Sequence, residues 1–195
     1  MNKTIITRVK KRGVALVAAG SLLIAAISTV AAPAPAAAGA AAAAPAAAPF
    51  PYYQLRNLNS GGLNRCAGVE GGNMRNLSRI ILWDCLWNSD QFWRVDREGF
   101  DHSIVNYKGS GFCLGVLGAS AARGAQVVVN ECDGSANQTW RLRPSSACGG
   151  YILVNKQTGY LASVEGRSTA NGAPVIMWPH GSTADQTWCL QNGIL

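Results

Sequence analysis

The chain has 195 residues, 48% of them hydrophobic and 14% charged, and a formal net charge of +7. Five of its seventeen Lys and Arg fall within the first twelve residues, so residues 50–195 carry twelve cations against ten acids, a net of +2. So small a charge excludes a nucleic-acid surface built on basic residues, and the length beyond position 49 suits one domain with a core of its own.

In chain order, Lys3, Arg8, Lys10, Lys11 and Arg12 form a basic start, Val14 to Val30 is an apolar run, and Val30-Ala31-Ala32 supplies small residues. This pattern predicts a secretory signal peptide over residues 1–32, cleaved after Ala32 or at a later Ala-x-Ala. The alternative is a retained membrane anchor, since the run is near the lower length for a span. The Ala/Pro-rich stretch 33–49 that follows suits a cleaved product and offers nothing large to bury, so it reads as an extended or disordered linker. Export makes the expected localisation extracellular.

From residue 50 onward strand signals dominate. "RIILW", "QVVVN" and "PVIMW" are β-branched runs, while "SIVNY" and "YILVN" stand earlier in their stretches of chain. Gly61-Gly62, Gly109 to Gly111, Gly149-Gly150 and Thr158-Gly159 supply turns between them. No apolar period of 3.6 persists for three turns, so no helix longer than a single turn is expected.

A threefold repeat organises these elements. Gln91-Phe92-Trp93, Gln138-Thr139-Trp140 and Gln186-Thr187-Trp188 recur at intervals of 47 and 48 residues, each preceded by Asp90, Asn137 or Asp185. Six residues before each Gln stand Cys85, Cys132 and His180; twenty-five before stand Cys66, Cys113 and Leu161. The repeats run over about 52–97, 98–143 and 144–195 within a domain of residues 50–195. Four short strands per copy, taken three times, predict a symmetric all-β structure with few open edges. Trp93, Trp140 and Trp188 are then core residues, one per copy, near a pseudo-threefold axis, with each Gln amide satisfying backbone groups beside them.

Six Cys in an exported chain imply disulfides, and six allow fifteen connectivities. The repeat selects among them: Cys66 to Cys85 and Cys113 to Cys132 are both nineteen apart at equivalent positions, leaving Cys148 to Cys189. Antiparallel pairing of the first and last strands of the third copy supports that remaining bond. Tight spacings such as Cys-x-x-Cys are absent, and no metal site is expected.

Three Gln-x-Trp copies, a Cys pair within a repeat and Gly-rich strand starts make residues of about 52 to 191 resemble the ricin-type β-trefoil lectins, secreted bacterial carbohydrate-binding modules above all, through strings such as "FCLGVLGAS" and "DGSANQTWRL". The resemblance implies a β-trefoil that binds galactose- or xylan-type sugars, up to one per repeat. It also implies a site made of an Asp two residues after the first Cys, an aromatic two residues before the second, and an Asn just before the Gln. An ionised Asp accepts strong hydrogen bonds from adjacent hydroxyls while a ring face covers the apolar side of the sugar.

The pattern carries over in part. The Asp position holds Gly68, Gly115 and Ser163, the aromatic position Trp83, Asn130 and Trp178, and the Asn position Asp90, Asn137 and Asp185. Asp90 and Asp185 are candidates for a displaced carboxylate, with capping of the turn before the last strand as their alternative role. The first candidate site is the third copy, with Ser163, Trp178, Asp185 and Gln186; the second is the first copy, with Trp83, Asp90 and Gln91. Trp83 and Trp178 are either exposed platforms or packed residues. Trp87 has no equivalent in the other copies and reads as a packing or partner contact, and His180 as a surface residue.

With two His at non-equivalent places and no nucleophile motif, the sequence points to no enzyme, no cofactor and no metal. The expected function is secreted, non-catalytic binding of polysaccharide or glycan through weak sites that become multivalent where more than one repeat works. The alternative is a trefoil that has lost sugar binding and uses its loops on protein partners. No nucleic acid is implied, nor a membrane once the signal is cleaved.

Overall fold

The computed structural model describes residues 52–192; the expected signal peptide and linker lie outside the described residues. Twelve strands follow one another with no helix longer than a single 3-10 turn among the described residues. The first repeat holds β1 (Tyr52–Asn57), β2 (Arg65–Val69), β3 (Ser78–Asp84) and β4 (Phe92–Glu98). The second holds β5 (Asp101–Asn106), β6 (Phe112–Val116), β7 (Val127–Glu131) and β8 (Thr139–Pro144). The third holds β9 (Tyr151–Asn155), β10 (Leu161–Val164), β11 (Val175–Trp178) and β12 (Trp188–Asn192).

β1 pairs with β12 and β4, β5 with β4 and β8, and β9 with β8 and β12, all antiparallel. These six strands therefore close into a barrel, which removes their edges. The remaining strands form three hairpins, β2–β3, β6–β7 and β10–β11. Backbone bonds tie each hairpin to the next: Leu77 N donates to Val129 O, Gly124 N to Met177 O, and Gly172 N to Leu82 O. The result is the β-trefoil that the triple repeat predicts, with pseudo-threefold symmetry.

The three repeat tryptophans lie in the core, almost without solvent exposure. Each indole still needs an acceptor, because a buried N–H without one costs about 1–3 kcal/mol. Nε1 of Trp93, Trp140 and Trp188 donates to the carbonyls of Ala67, Leu114 and Ala162 at 3.1, 2.8 and 3.0 Å. Those acceptor residues face Leu82, Val129 and Met177 directly across their hairpins. Where the second repeat places the larger Leu114, it sets the smaller Val129 opposite, so pair volume stays near constant around the axis.

All three expected disulfides form: Cys66–Cys85 and Cys113–Cys132 with Cα atoms 5.0 Å apart, and Cys148–Cys189 at 5.9 Å. The third joins the segment before β9 to β12, whose pairing at Trp188 and Tyr151 brings the two cysteines together.

Candidate functional site

Each Gln of the repeat is buried and forms the same two bonds. Gln91 Nε2 donates to Asp84 O at 2.7 Å while its Oε1 accepts from Leu86 N at 2.7 Å. Gln138 does the same with Glu131 O and Asp133 N, and Gln186 with Pro179 O and Gly181 N. A side chain seven residues from its acceptor and five from its donor thus closes the loop before each last strand. Gln91 and Gln186, both candidate sugar contacts, sit 2% exposed in the groove floors and hold the loop that carries the neighbouring acid.

A second brace comes from the following barrel strand. Asn57, Asn106 and Asn155 are fully buried, and their Nδ2 groups donate to the backbone carbonyls of Asp185, Asp90 and Asn137 at 2.9, 2.8 and 2.9 Å. Counting back from Gln misses these residues, because they lie 34, 32 and 31 positions from the Gln that closes their own copy. Their mutual spacing of 49 is the signal that reveals them.

These two braces recur in all three copies, and the side chains around them distinguish the grooves. In the first, Gly68 on β2 faces Ile81 on β3, and strand alternation puts Trp83 on the same open side while Ile80 and Leu82 point into the core. Trp83 is 42% exposed. A Cβ on Gly68 would sit 3.2 Å from Asp90 Oδ2 and 3.1 Å from Gln91 Cγ, so the glycine leaves the space that the acid fills. The Asp90 carboxylate accepts no hydrogen bond and joins no ion pair among the described residues. It caps no turn: the 3-10 turn Ser89–Gln91 has Asn88 at its N-cap position and no side-chain cap. Lys108, from the loop after β5, reaches over to donate from Nζ to Gly72 O at 2.7 Å. Together these residues line a groove of about 660 Å³.

The third groove, about 410 Å³, holds the same types in another state. Asp185 is 3% exposed; its Oδ2 accepts from Ser163 Oγ at 2.5 Å, and Arg167 Nε lies 3.7 Å from Oδ1. Trp178 is 40% exposed, but the Arg123 guanidinium stands 4.9 Å from its ring centre, a cation–π contact that covers a face. Asp185 likewise makes no cap to its turn.

In the second repeat the equivalent polar groups are engaged by the fold. Asn137 accepts from Ser135 Oγ and donates to Val116 O, and Asn130 Oδ1 accepts from Leu77 N at 2.9 Å, so both polar groups serve the fold.

Two residues beyond the sequence-derived set reach the first groove. Lys108 stands 49 residues from both Asn59 and Gln157, and all three donate a side-chain N–H to an equivalent backbone carbonyl, of Gly72, Arg167 and Ala119 respectively; only the first groove receives a cation there. Trp87 lines the same groove at 69% exposure, its ring 5.7 Å from that of buried Phe92. His180 is exposed, as its position beside Pro179 suggests.

A sequence model of the ricin-type beta-trefoil lectin domain matches residues 51–188. No curated protein sequence matches this chain. Among solved structures, the designed threefold-symmetric protein ThreeFoil is 30% identical, with 71% of this chain covering 96% of it at a TM-score of 0.66. An exo-β-1,3-galactanase from Clostridium thermocellum is 26% identical over 75% of this chain at a TM-score of 0.69, and this chain spans only 31% of that enzyme. The Rhizoctonia solani agglutinin, 18% identical over 77% of this chain and 100% of its own at a TM-score of 0.64, shares the fold.

Proposed function

Because the chain belongs to the ricin-type β-trefoil lectin family, a family of carbohydrate-binding domains, we propose that it is a secreted, non-catalytic carbohydrate-binding module working chiefly through its first-repeat groove. One observation carries this reading: the uncommitted carboxylate of Asp90 stands over Gly68 in the groove that Trp83 lines. The acid has moved from the usual position after the first Cys to the position before Gln, and the glycine makes room for it. Asp90 then accepts from two neighbouring sugar hydroxyls while Trp83 covers the apolar ring face. Three disulfides suit export, and the likeness to a galactanase favours a galactose-type ligand over a xylan-type one.

The third groove is the weaker of the two, because Ser163 already holds Oδ2 of the buried Asp185 and Arg123 covers a face of Trp178; Oδ1, without a hydrogen-bond partner, has Arg167 only at 3.7 Å. Each hydrogen bond to a charged group is worth roughly 1.5–3 kcal/mol, which a ligand must replace before it gains anything. This ordering reverses the one drawn from residue types alone.

Binding of the purified, disulfide-complete protein to a glycan array and to insoluble polysaccharides tests the proposal. Sugar binding that Trp83→Ala weakens about tenfold supports it. Failure to bind any sugar by correctly folded protein would overturn it and favour the protein-partner reading, for which exposed Leu86 and Trp87 offer an apolar contact.

A further inference from the structure

Trp87 is the one aromatic side chain of the first groove that the repeat does not require. Counting four residues back from each Gln aligns it with Gly134 and Ser182. Those two residues take left-handed backbone, at φ 71° and 52°, whereas Trp87 does not. A bulky residue strongly disfavours that region. The loop of the first repeat has therefore taken a different path and presents an indole where the other copies present none.

The path is rigid. Cys85 is held by its disulfide, Leu86 N donates to Gln91 Oε1, Leu86 O accepts from Gln54 Nε2 at 2.5 Å, and Gln91 N donates to Asn88 O at 3.0 Å. Phe92 supports the ring from below at a tilt of 33°. An exposed indole that rests on Phe92 and rises from a backbone braced on both sides is preorganised: a ligand that stacks on it loses little to ordering of the protein. Apolar packing alone gives no reason for so much of the ring to remain in water.

We infer that Trp87 forms a second aromatic subsite beside Trp83, so that the first groove recognises at least two consecutive sugars of a polysaccharide chain. This rests on the sugar-binding reading of that groove. The first groove exceeds the third by about 660 to 410 Å³, and it is the one with the second indole. Trp83 with Asp90 reads one unit through stacking and hydrogen bonds; Trp87 takes the next through its ring alone, which tolerates variation in hydroxyl pattern. The ligand class is thus an oligosaccharide segment, and an isolated terminal monosaccharide fills only half of the site.

The test is titration calorimetry on the whole protein in a Trp178→Ala background, which restricts the reading to the first groove. The probes are galactose, β-1,3-galactobiose and β-1,3-galactotriose, and xylose, β-1,4-xylobiose and β-1,4-xylotriose. In one of the two series the disaccharide binds about two- to tenfold more tightly than the monosaccharide, the range an aromatic contact contributes. Trp87→Ala brings that ratio close to one, while Trp83→Ala weakens every length. Equal affinity at all lengths, or a length gain that survives Trp87→Ala, overturns the second subsite and leaves the lectin reading standing. Absence of binding to all six probes and to the glycan array, with melting temperature unchanged, rejects both.

Discussion

The first and third grooves share the same backbone braces and differ in how far their acid and indole are already engaged. In both, Gln closes the loop, a buried Asn holds the carbonyl before it, and an acid and an exposed Trp follow. A glycine at position 68 leaves Asp90 unpaired; a serine at 163 binds Oδ2 of Asp185, Arg167 stands 3.7 Å from its other oxygen, and Arg123 lies over Trp178. A trefoil thus keeps its fold in every copy while the accessible chemistry is set by two or three side chains outside the repeat pattern. Fold and function are under separate control within one motif.

The largest effect that separates the grooves is expected at the acids. Asp90→Ala should lower affinity for the bound sugar about ten- to a hundredfold, the loss of one charged hydrogen bond, and Asp185→Ala should change it less than twofold. The measurement is calorimetry of both variants against the sugar found on the array. An equal loss from both would mean that Asp185 is released on binding. Trp83→Ala follows, with a loss of about tenfold, against little change for Trp178→Ala. Circular dichroism of both should match the parent, since each ring lies outside the buried core.

The repeat and its disulfides were legible because burial forces them on every copy. A core indole must find its acceptor and a buried amide must close its loop, so Gln-x-Trp recurs with little freedom. The aromatic and acidic positions were legible too, by register. Their state was not. Arg123 belongs to the second copy yet covers Trp178 of the third, a contact 55 residues away that hairpin packing creates and no local pattern announces. Asn57, Asn106 and Asn155 escaped notice because the loops between them and their Gln differ in length. Trp87 shows the reverse case: a residue without a counterpart has no register to interpret it, and only its exposure and its braced loop reveal what it faces.

If residue 68 or 163 sets the availability of the neighbouring acid, exchanging them should move it. Gly68→Ser brings a hydroxyl to Asp90 as Ser163 does to Asp185, with a Cβ 3.2 Å from Oδ2 that Asp90 must accommodate, and should lower first-groove affinity up to about tenfold. Ser163→Gly in a Trp83→Ala background should raise binding at the third groove severalfold, at some loss of stability from the missing hydrogen bond. A Gly68→Ser protein that binds as before would show that the serine hydroxyl is displaced by sugar without measurable cost.

The smallest effect belongs to Arg123. Its contact with Trp178 is worth about 0.5–1 kcal/mol at so exposed a site, hence a factor of about two to five. Arg123→Ala should increase third-groove affinity by that factor when the first groove is silenced with Trp83→Ala and Asp90→Ala together, and Arg123→Lys should give part of it, since an ammonium covers less of the ring than a planar guanidinium. Tryptophan fluorescence at rising salt gives an independent check. An Arg held over the indole only by charge is screened weakly at this distance, so the parent spectrum should hold while Arg123→Ala shifts it. If Arg123→Ala instead weakens binding, the guanidinium is itself a ligand contact, and the third groove is built for a sugar that carries negative charge.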